Sequence, residues 1–399
     1  MKKLLRFISY FLRAEKCWYW PRLSDVLIYD ACNQDVLLEY LHPWKPEVLH
    51  VRGEQINMLV LFASLIRGGK RSNAYVDCFI ERVCPRLIVT FIDNSLSFLT
   101  ISQRHPEVKT LFVQNGLRGY YADIFETLEK MDAGSCSKLT IDYMLLFGPV
   151  IGAEYARYIT GNVVPMGSIK NNRVPRTQPL HRGVIAFVSQ WHKDGFYMGG
   201  IFCTHEAYFG QVDRPIIQCL AHYAKNKNKR LAIIPRNTKR CDLRAQEEAY
   251  FRELLGDECV FLEPQGLYPS YQALDAADVV VAVDSTLGYE AIARGKKTAI
   301  FSVRGNLLGV HGWNYGWPGD FPTEGPFWTN RLDSDSFVLI LDYLFEIDDI
   351  QWRKDVEATN FSSIMIYNPG NSILQSIFEK ELGSVPIPEY QLRTHSATP

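Results

Sequence analysis

Short apolar runs recur along the first half of the chain, each closed by a polar or glycine-containing turn. "DVLIYD" (25–30), "VLHVRGE" (48–54), "RLIVTFID" (86–93), "KTLFVQNG" (109–116) and "DYMLLFGP" (142–149) are rich in β-branched and aromatic residues. Their length and composition predict strands. Longer stretches between them, such as "INMLVLFASLIRGG" (56–69), predict helices. Strands that alternate with helices build a parallel sheet covered on its faces.

The pattern breaks at "GSIKNNRVPRTQPLHRG" (167–183), which is polar, basic and carries two prolines, and so reads as a linker. Alternation then restarts with "GVIAFVSQ" (183–190), "RLAIIPR" (230–236), "CVFLEP" (259–264), "DVVVAVDS" (278–285) and "KTAIFSV" (297–303). The clearest helix among them is "LRAQEEAYFRELLG" (243–256). An aromatic, glycine-rich loop follows at 309–328, then a helical "DSFVLILDYLFEI", and the last residues, "PEYQLRTHSATP", have no periodicity.

The expected organisation is an N-terminal Rossmann-like domain over 1–175, a C-terminal one over 176–385, and a tail, or a linker to further domains of a larger assembly protein, over 386–399. Doubly wound sheets take ligands at the carboxyl ends of their strands. The expected fold is therefore α/β and GT-B-like, two Rossmann-type domains with parallel sheets facing across a cleft. Fold alone leaves the function open.

Composition narrows the classes. At 399 residues the chain exceeds one ordinary core, in keeping with two domains. A net charge of −1 excludes a general nucleic-acid binder, which needs a basic excess. Nine cysteines scattered singly, without metal-ligand spacing, point to reduced thiols in the cytoplasm and to no metal centre. In "MKKLLRFISYFLRAEK", Leu4, Leu5, Ile8, Phe11 and Leu12 share a helical face, with Lys2, Lys3, Arg6, Arg13 and Lys16 available for the other. That pattern suits either a first helix packed on its own domain or an interfacial helix in peripheral contact with the inner membrane.

Candidate chemistry gathers in the strand-end turns. In "VAVDSTLGYEAIARGKK" (281–297) an apolar strand ends at Asp284, and Ser285 or Thr286 can cap the following helix. The free N–H groups of such a helix start favour a phosphate. Gly288 permits close approach of a ligand or of the neighbouring strand, and Glu290 can meet a ribose hydroxyl; the plain alternative is a capped helix without a ligand. Arg236, in "LAIIPRN", can clamp an anion or form an ordinary ion pair, with Asn237 beside it. "AFVSQWHKDG" (186–195) brings Ser189, Gln190, His192, Lys193 and Asp194 to the same sheet edge, Asp194 as base, nucleophile or mere cap.

In the first half, "TFIDNS" ends a strand in Asp93 and Asn94, and "FVQNGLRGYYAD" offers Gln114, Asn115 and Arg118. Arg52 and Glu54 stand at a third strand end. Asp-Asn and Asn-Gly are also ordinary turn pairs. Trp313, Tyr315, Trp317, Phe321, Phe327 and Trp328 in the aromatic loop suit either a sugar platform or packing between domains.

The ordered set "TFIDNS", "FVQNGLRGYY", "VPMGSIKNN", "FVSQW", "IIPRN" and "VDSTLGYEAIARGKKTAIF", spread over residues 86 to 305, resembles bacterial surface-carbohydrate glycosyltransferases. Among these it resembles the retaining β-Kdo transferase module of O-antigen assembly proteins (glycosyltransferase family 99). The resemblance implies a CMP-Kdo donor, a glycan acceptor and no metal. Ser285, Thr286 and Arg236 would then hold the nucleotide phosphate and Glu290 would lie near the ribose. Ser189, Gln190, Asn237 and Asp284 would complete the donor side, and Asn94, Gln114, Asn115 and Arg118 the acceptor side. Retention would use a carboxylate nucleophile, Asp93 or its rival Asp194. If the family's aspartate belongs in "RLAIIPR", Ala232 marks a lost one, although a carboxylate so deep in a parallel strand would be costly to bury. The competing readings are a transferase or epimerase of this architecture using a UDP or CDP donor, and a non-catalytic glycan-binding module.

Overall fold

The computed structural model describes residues 11–67, 73–121, 123–132, 138–177, 182–194, 196–198, 201–204, 206, 210–237, 242–256, 259–264, 266 and 268–384. Residues 1–10, which hold most of the expected amphipathic helix, and the tail over 386–399 lie outside them.

Six parallel strands form the first sheet: β1 (Val26–Tyr29), β2 (Glu47–Leu49), β3 (Leu87–Thr90), β4 (Lys109–Val113), β5 (Leu139–Leu146) and β6 (Ile159–Pro165), in the order β2-β1-β3-β4-β5-β6. β1 and β3 are buried at every position, as strands covered on both faces must be. The sequence pattern misses β6, an edge strand whose "ITGNVVP" is polar and partly exposed. "VLHVRGE" holds only the end of β2, and Gln55–Asn57 pairs instead with Glu15–Cys17 in a separate parallel ribbon.

The second sheet contains β7 (Val184–Val188), β8 (Arg230–Ile234), β9 (Val260–Phe261), β10 (Val279–Ala282), β11 (Thr298–Phe301), β12 (Glu324–Gly325) and β13 (Trp328–Thr329), ordered β9-β8-β7-β10-β11-β13-β12. All its pairs are parallel except β12–β13. The strand order reverses between β7 and β10, the switch point at which doubly wound sheets open a crevice. Two such sheets make the architecture GT-B-like.

Three helices position the site: α1 (Leu243–Leu255), α2 (Thr286–Ala293) and α3 (Ser372–Leu382). A Cβ on Gly288 would lie 2.4 Å from the Cβ of Ala282, so this glycine lets α2 sit close on β10. Of the two roles open to Gly288, the structure shows the strand contact.

The expected linker is a buried joint in its first half. Ser168 caps a short helix, Ile169–Arg173, in which Asn171 and Asn172 are buried. Asn171 donates to the Glu290 carbonyl (3.0 Å) and accepts from Arg294 (2.8 Å), while Asn172 donates to Asn371 (2.9 Å). Polar residues that read as solvated linker are here the hydrogen-bonding groups of an interior network. A second correction concerns the far end of the chain. α3 does not stay with the second sheet, since Leu374, Ile377 and Phe378 pack with Val26, Ile28 and Val89 of the first. In the aromatic loop, Tyr315, Phe327 and Trp328 are core residues, with Tyr315 stacked on Trp328 at 4.3 Å. Trp317 meets Phe125 of the first domain edge-on at 5.4 Å, so most of this loop packs and only Trp313 reaches the cleft.

Candidate functional site

A cleft of about 790 Å³ lies between the domains. The ends of β7, β8 and β10 and the start of α2 line one side; Asn115, Leu117 and Lys170 line the other. Ser189, Gln190, Asp194, Arg236, Asp284, Ser285, Thr286 and Glu290 all border it, joined by His192 and Lys193. Asn237, Asn94, Gln114, Arg118 and Asp93 do not.

The start of α2 is built as the sequence suggests. Ser285 is extended, and its hydroxyl accepts from the Leu287 N–H at 3.3 Å. The first turn of a helix has N–H groups without intrahelical partners, and here that turn borders the cleft. Thr286 does something unforeseen: its Oγ1 accepts from the Leu117 N–H of the opposite domain at 2.9 Å. Arg236 stands at the end of β8 near the Gln190 carbonyl (3.5 Å). Desolvation by the cleft walls lowers its pKa from the ordinary value even though the side chain is exposed, and the nearby Glu247 opposes that.

Glu247, absent from the sequence reading, holds this side together. Fully buried on α1, it accepts from Ser189 Oγ (2.5 Å), from the Arg236 and Asn237 N–H groups (2.9 Å each) and from Asn237 Nδ2 (3.0 Å). Ser189 and Asn237 therefore shape the ends of β7 and β8, with their polar atoms turned to Glu247. A signal was present: Arg244, Glu247 and Phe251 fall on the buried face of α1, and a carboxylate there needs partners.

The acids of the cleft differ in their surroundings. Asp284 pairs with the buried Arg304, which also donates to Asp213 (2.7 Å) and to Gln190 Oε1 (3.1 Å). Its second oxygen, Oδ2, has no hydrogen-bond partner among the described residues. Burial lifts Asp213 to about 6 against the pull of Arg304. Glu290 accepts from Ser168 Oγ and from Tyr271. Burial lifts it to about 7, with those hydrogen bonds, Lys170 and Arg294 acting the other way. An oxygen expected to meet a ribose is thus held by the interdomain joint. Asp194 stands at the exposed rim beside His192 and Lys193.

Asp93, expected as a catalytic carboxylate, is sealed beneath the opposite wall. It is fully buried and pairs with Arg118 through both oxygens, Nε at 2.7 Å from Oδ2. The Asn115 N–H (3.2 Å) and Tyr155 hydroxyl (2.7 Å) complete its shell. Burial acts to lower the Arg118 pKa, but Asp93 outweighs it and the net shift is upward; Tyr155 is driven far up by burial and by Asp93, so it stays a donor. Gln114 is spent on the Gly116 carbonyl (2.9 Å) and the Phe147 N–H (2.9 Å), and Asn94 points to Asp123 (3.4 Å). At the third strand end, Arg52 pairs with Asp30 (2.8 Å) away from the cleft. The acceptor-side set therefore reaches the cleft through Asn115, together with Leu117 and Lys170.

The model of a family described as "putative O-antigen biosynthesis protein" matches residues 111–382. The chain belongs to that O-antigen biosynthesis family. The match takes in all the residues expected on the donor side and begins beyond Asp93 and Asn94. No curated protein matches the chain in sequence. Among solved structures it is similar to a sucrose-phosphate synthase from Thermosynechococcus elongatus (14% identity, TM-score 0.47, 92% of this chain and 100% of that one). A UDP-GlcNAc 2-epimerase from Methanocaldococcus jannaschii (10%, 0.48, 89% and 99%) and a glycosyltransferase from Rickettsia africae (11%, 0.48, 90% and 99%) are similar to a like degree. The segment matched to this O-antigen biosynthesis family borders both sides of the cleft, since it includes Asn115, Leu117 and Lys170 as well as the whole second sheet.

Proposed function

We propose that the protein is a glycosyltransferase acting on a surface glycan, with CMP-Kdo as donor and no metal. The observation that carries this reading is the pairing, in one interdomain cleft, of a helix start and an arginine suited to an anion with a rim carboxylate, Asp194, that has no ion pair among the described residues. The α2 start and Arg236 would hold the nucleotide phosphate, with Lys170 and Lys193 adding positive charge. Asp194 would attack the anomeric carbon as CMP leaves, giving a covalent sugar–enzyme ester. An acceptor hydroxyl would then displace Asp194 and lose its proton to solvent, so two inversions give retention. A single phosphate suits the site, because a second would bring further negative charge toward Asp284, whose Oδ2 has no hydrogen-bond partner among the described residues. The acceptor would approach across Asn115 and Trp313.

Ligand-induced thermal stabilisation tests the donor, since a bound nucleotide raises stability by mass action. CMP is expected to raise the melting temperature more than CDP or UDP at equal concentration. A preference for UDP overturns the Kdo donor. No response to any nucleotide, together with no CMP release from CMP-Kdo and acceptor, leaves a glycan-binding module instead.

A further inference from the structure

Eight of the sixteen large apolar side chains exposed among the described residues fall in two short segments, 12–23 and 62–66, so the exposure is concentrated. Trp18 (62% exposed), Tyr19 and Trp20 belong to the first, Phe62, Leu65 and Ile66 (87%) to the second. The fold brings them together: Glu15–Cys17 pairs with Gln55–Asn57, which runs directly into the helix Met58–Ile66. The rings of Trp18 and Phe62 lie 6.3 Å apart. On that helix Met58, Val60 and Ser64 face the core, while Phe62, Leu65 and Ile66, at i, i+3 and i+4, form an equally apolar outer stripe. A helix that is apolar on its outer face lacks a partner for it.

Charge identifies the partner. Segments 11–23 and 58–67 carry Arg13, Lys16, Arg22 and Arg67 against one acid, Glu15. Arg22 and Arg67 pair with Glu47 and Glu81 at the border, and the Arg82 guanidinium lies 4.1 Å over the Trp20 ring. Residues 1–10 contribute Lys2, Lys3 and Arg6 and no acid. We propose that this face docks on an anionic bilayer surface. Tryptophan and tyrosine favour the water–lipid interface, apolar tips enter the acyl boundary, and the cations meet anionic headgroups. No helix of the described residues is long and apolar enough to cross a membrane. A two-fold pairing of copies would set like charge against like, and the basic residues 1–10 would meet the same conflict as a cover.

Sedimentation of the full chain with vesicles tests the proposal. Binding is expected to phosphatidylglycerol-containing vesicles, weak binding to phosphatidylcholine alone, and a decline with salt. Trp18→Ser with Leu65→Ser and Ile66→Ser should reduce partitioning at least tenfold, while Ile350→Ser, at an exposed site elsewhere, leaves it unchanged. Ile66→Ser alone, at the most exposed position, covers the case in which the triple variant misfolds. Brominated lipids should quench tryptophan fluorescence, and less so in Trp18→Phe with Trp20→Phe. The proposal is overturned by absence of vesicle binding, or by binding that the serine variants leave intact. A dimer that the same variants dissociate in light scattering also overturns it, and so does stronger vesicle binding after removal of residues 2–10.

Discussion

At the carboxyl end of the first sheet, the acid that follows β3 is enclosed; at that of the second, the acid that follows β7 stands at an open rim. Asp93 has a guanidinium, a phenol and a backbone N–H around it, all from its own domain. Asp194 borders the cleft on an exposed loop. In sequence both are aspartates in the turn that follows an apolar strand, Asp93 three residues and Asp194 six residues past its end. What separates them is supply: the first domain brings Arg118 and Tyr155 onto its acid, whereas the buried arginines of the second, Arg244, Arg294 and Arg304, go to Glu248 and Glu263, to Asp275, and to Asp284 and Asp213. One acid therefore serves architecture, and the other stays exposed at the cleft, where the proposed reaction would use it.

Substitution should divide the two. Asp194→Asn is expected to lower transfer, measured as CMP release, by about a thousandfold or more while leaving the melting temperature near that of the parent. Equal activity in this variant would remove Asp194 from the mechanism. Asp93→Asn should act the other way, leaving Arg118 buried without its charge partner and costing about 3 kcal/mol in denaturant unfolding. Normal stability with lost turnover would reverse the comparison.

Smaller effects sharpen it. Glu290 and Asp213 bind protons more tightly folded than unfolded, with folded values of about 7 and about 6 against ordinary values of 4.5 and 3.8. Their contribution to stability is thus largest at acid pH and is lost as pH rises toward 7. Glu290→Gln should flatten the melting profile between pH 5 and 7 by up to about 1.4 kcal/mol per pH unit, the limit for one proton. An unchanged slope would mean that Glu290 is ionised throughout. Least of all, Thr286→Val removes the acceptor of the Leu117 N–H across the cleft and should cost about 1 kcal/mol or less. A loss of several kcal/mol there would show that the domains are clamped by this one contact.

The alternation of apolar runs predicts ten of the thirteen strands in the two large sheets, because buried parallel strands must be apolar throughout and that signal is local. β6, β12 and β13 escape it, being polar, edge-placed or only two residues long. The second-sheet side of the cleft was legible for the same reason: Ser189, Arg236 and Ser285 lie within a few residues of the ends of such strands and border the cleft. Lys170, Tyr271 and Glu247 were not, since their roles depend on which distant segments the fold brings together. The fate of Asp93 and Glu290 was hidden likewise, for Arg118 is 25 residues from one and Ser168 is 122 from the other.

The return of α3 to the first domain means that the chain passes between the domains twice. The outward crossing at Ser168–Arg173 and the homeward one near Asn368–Asn371 are stitched side by side by Asn172, which also accepts from the Asn368 N–H at 3.0 Å. A single strand would be a tether, free to swivel and stretch. Two strands bound together are an axle: they permit the halves to swing about one line and resist their sliding past each other. Any opening of the cleft would thereby be confined to one angular coordinate, and closure would return the second domain to the same facing position on the first.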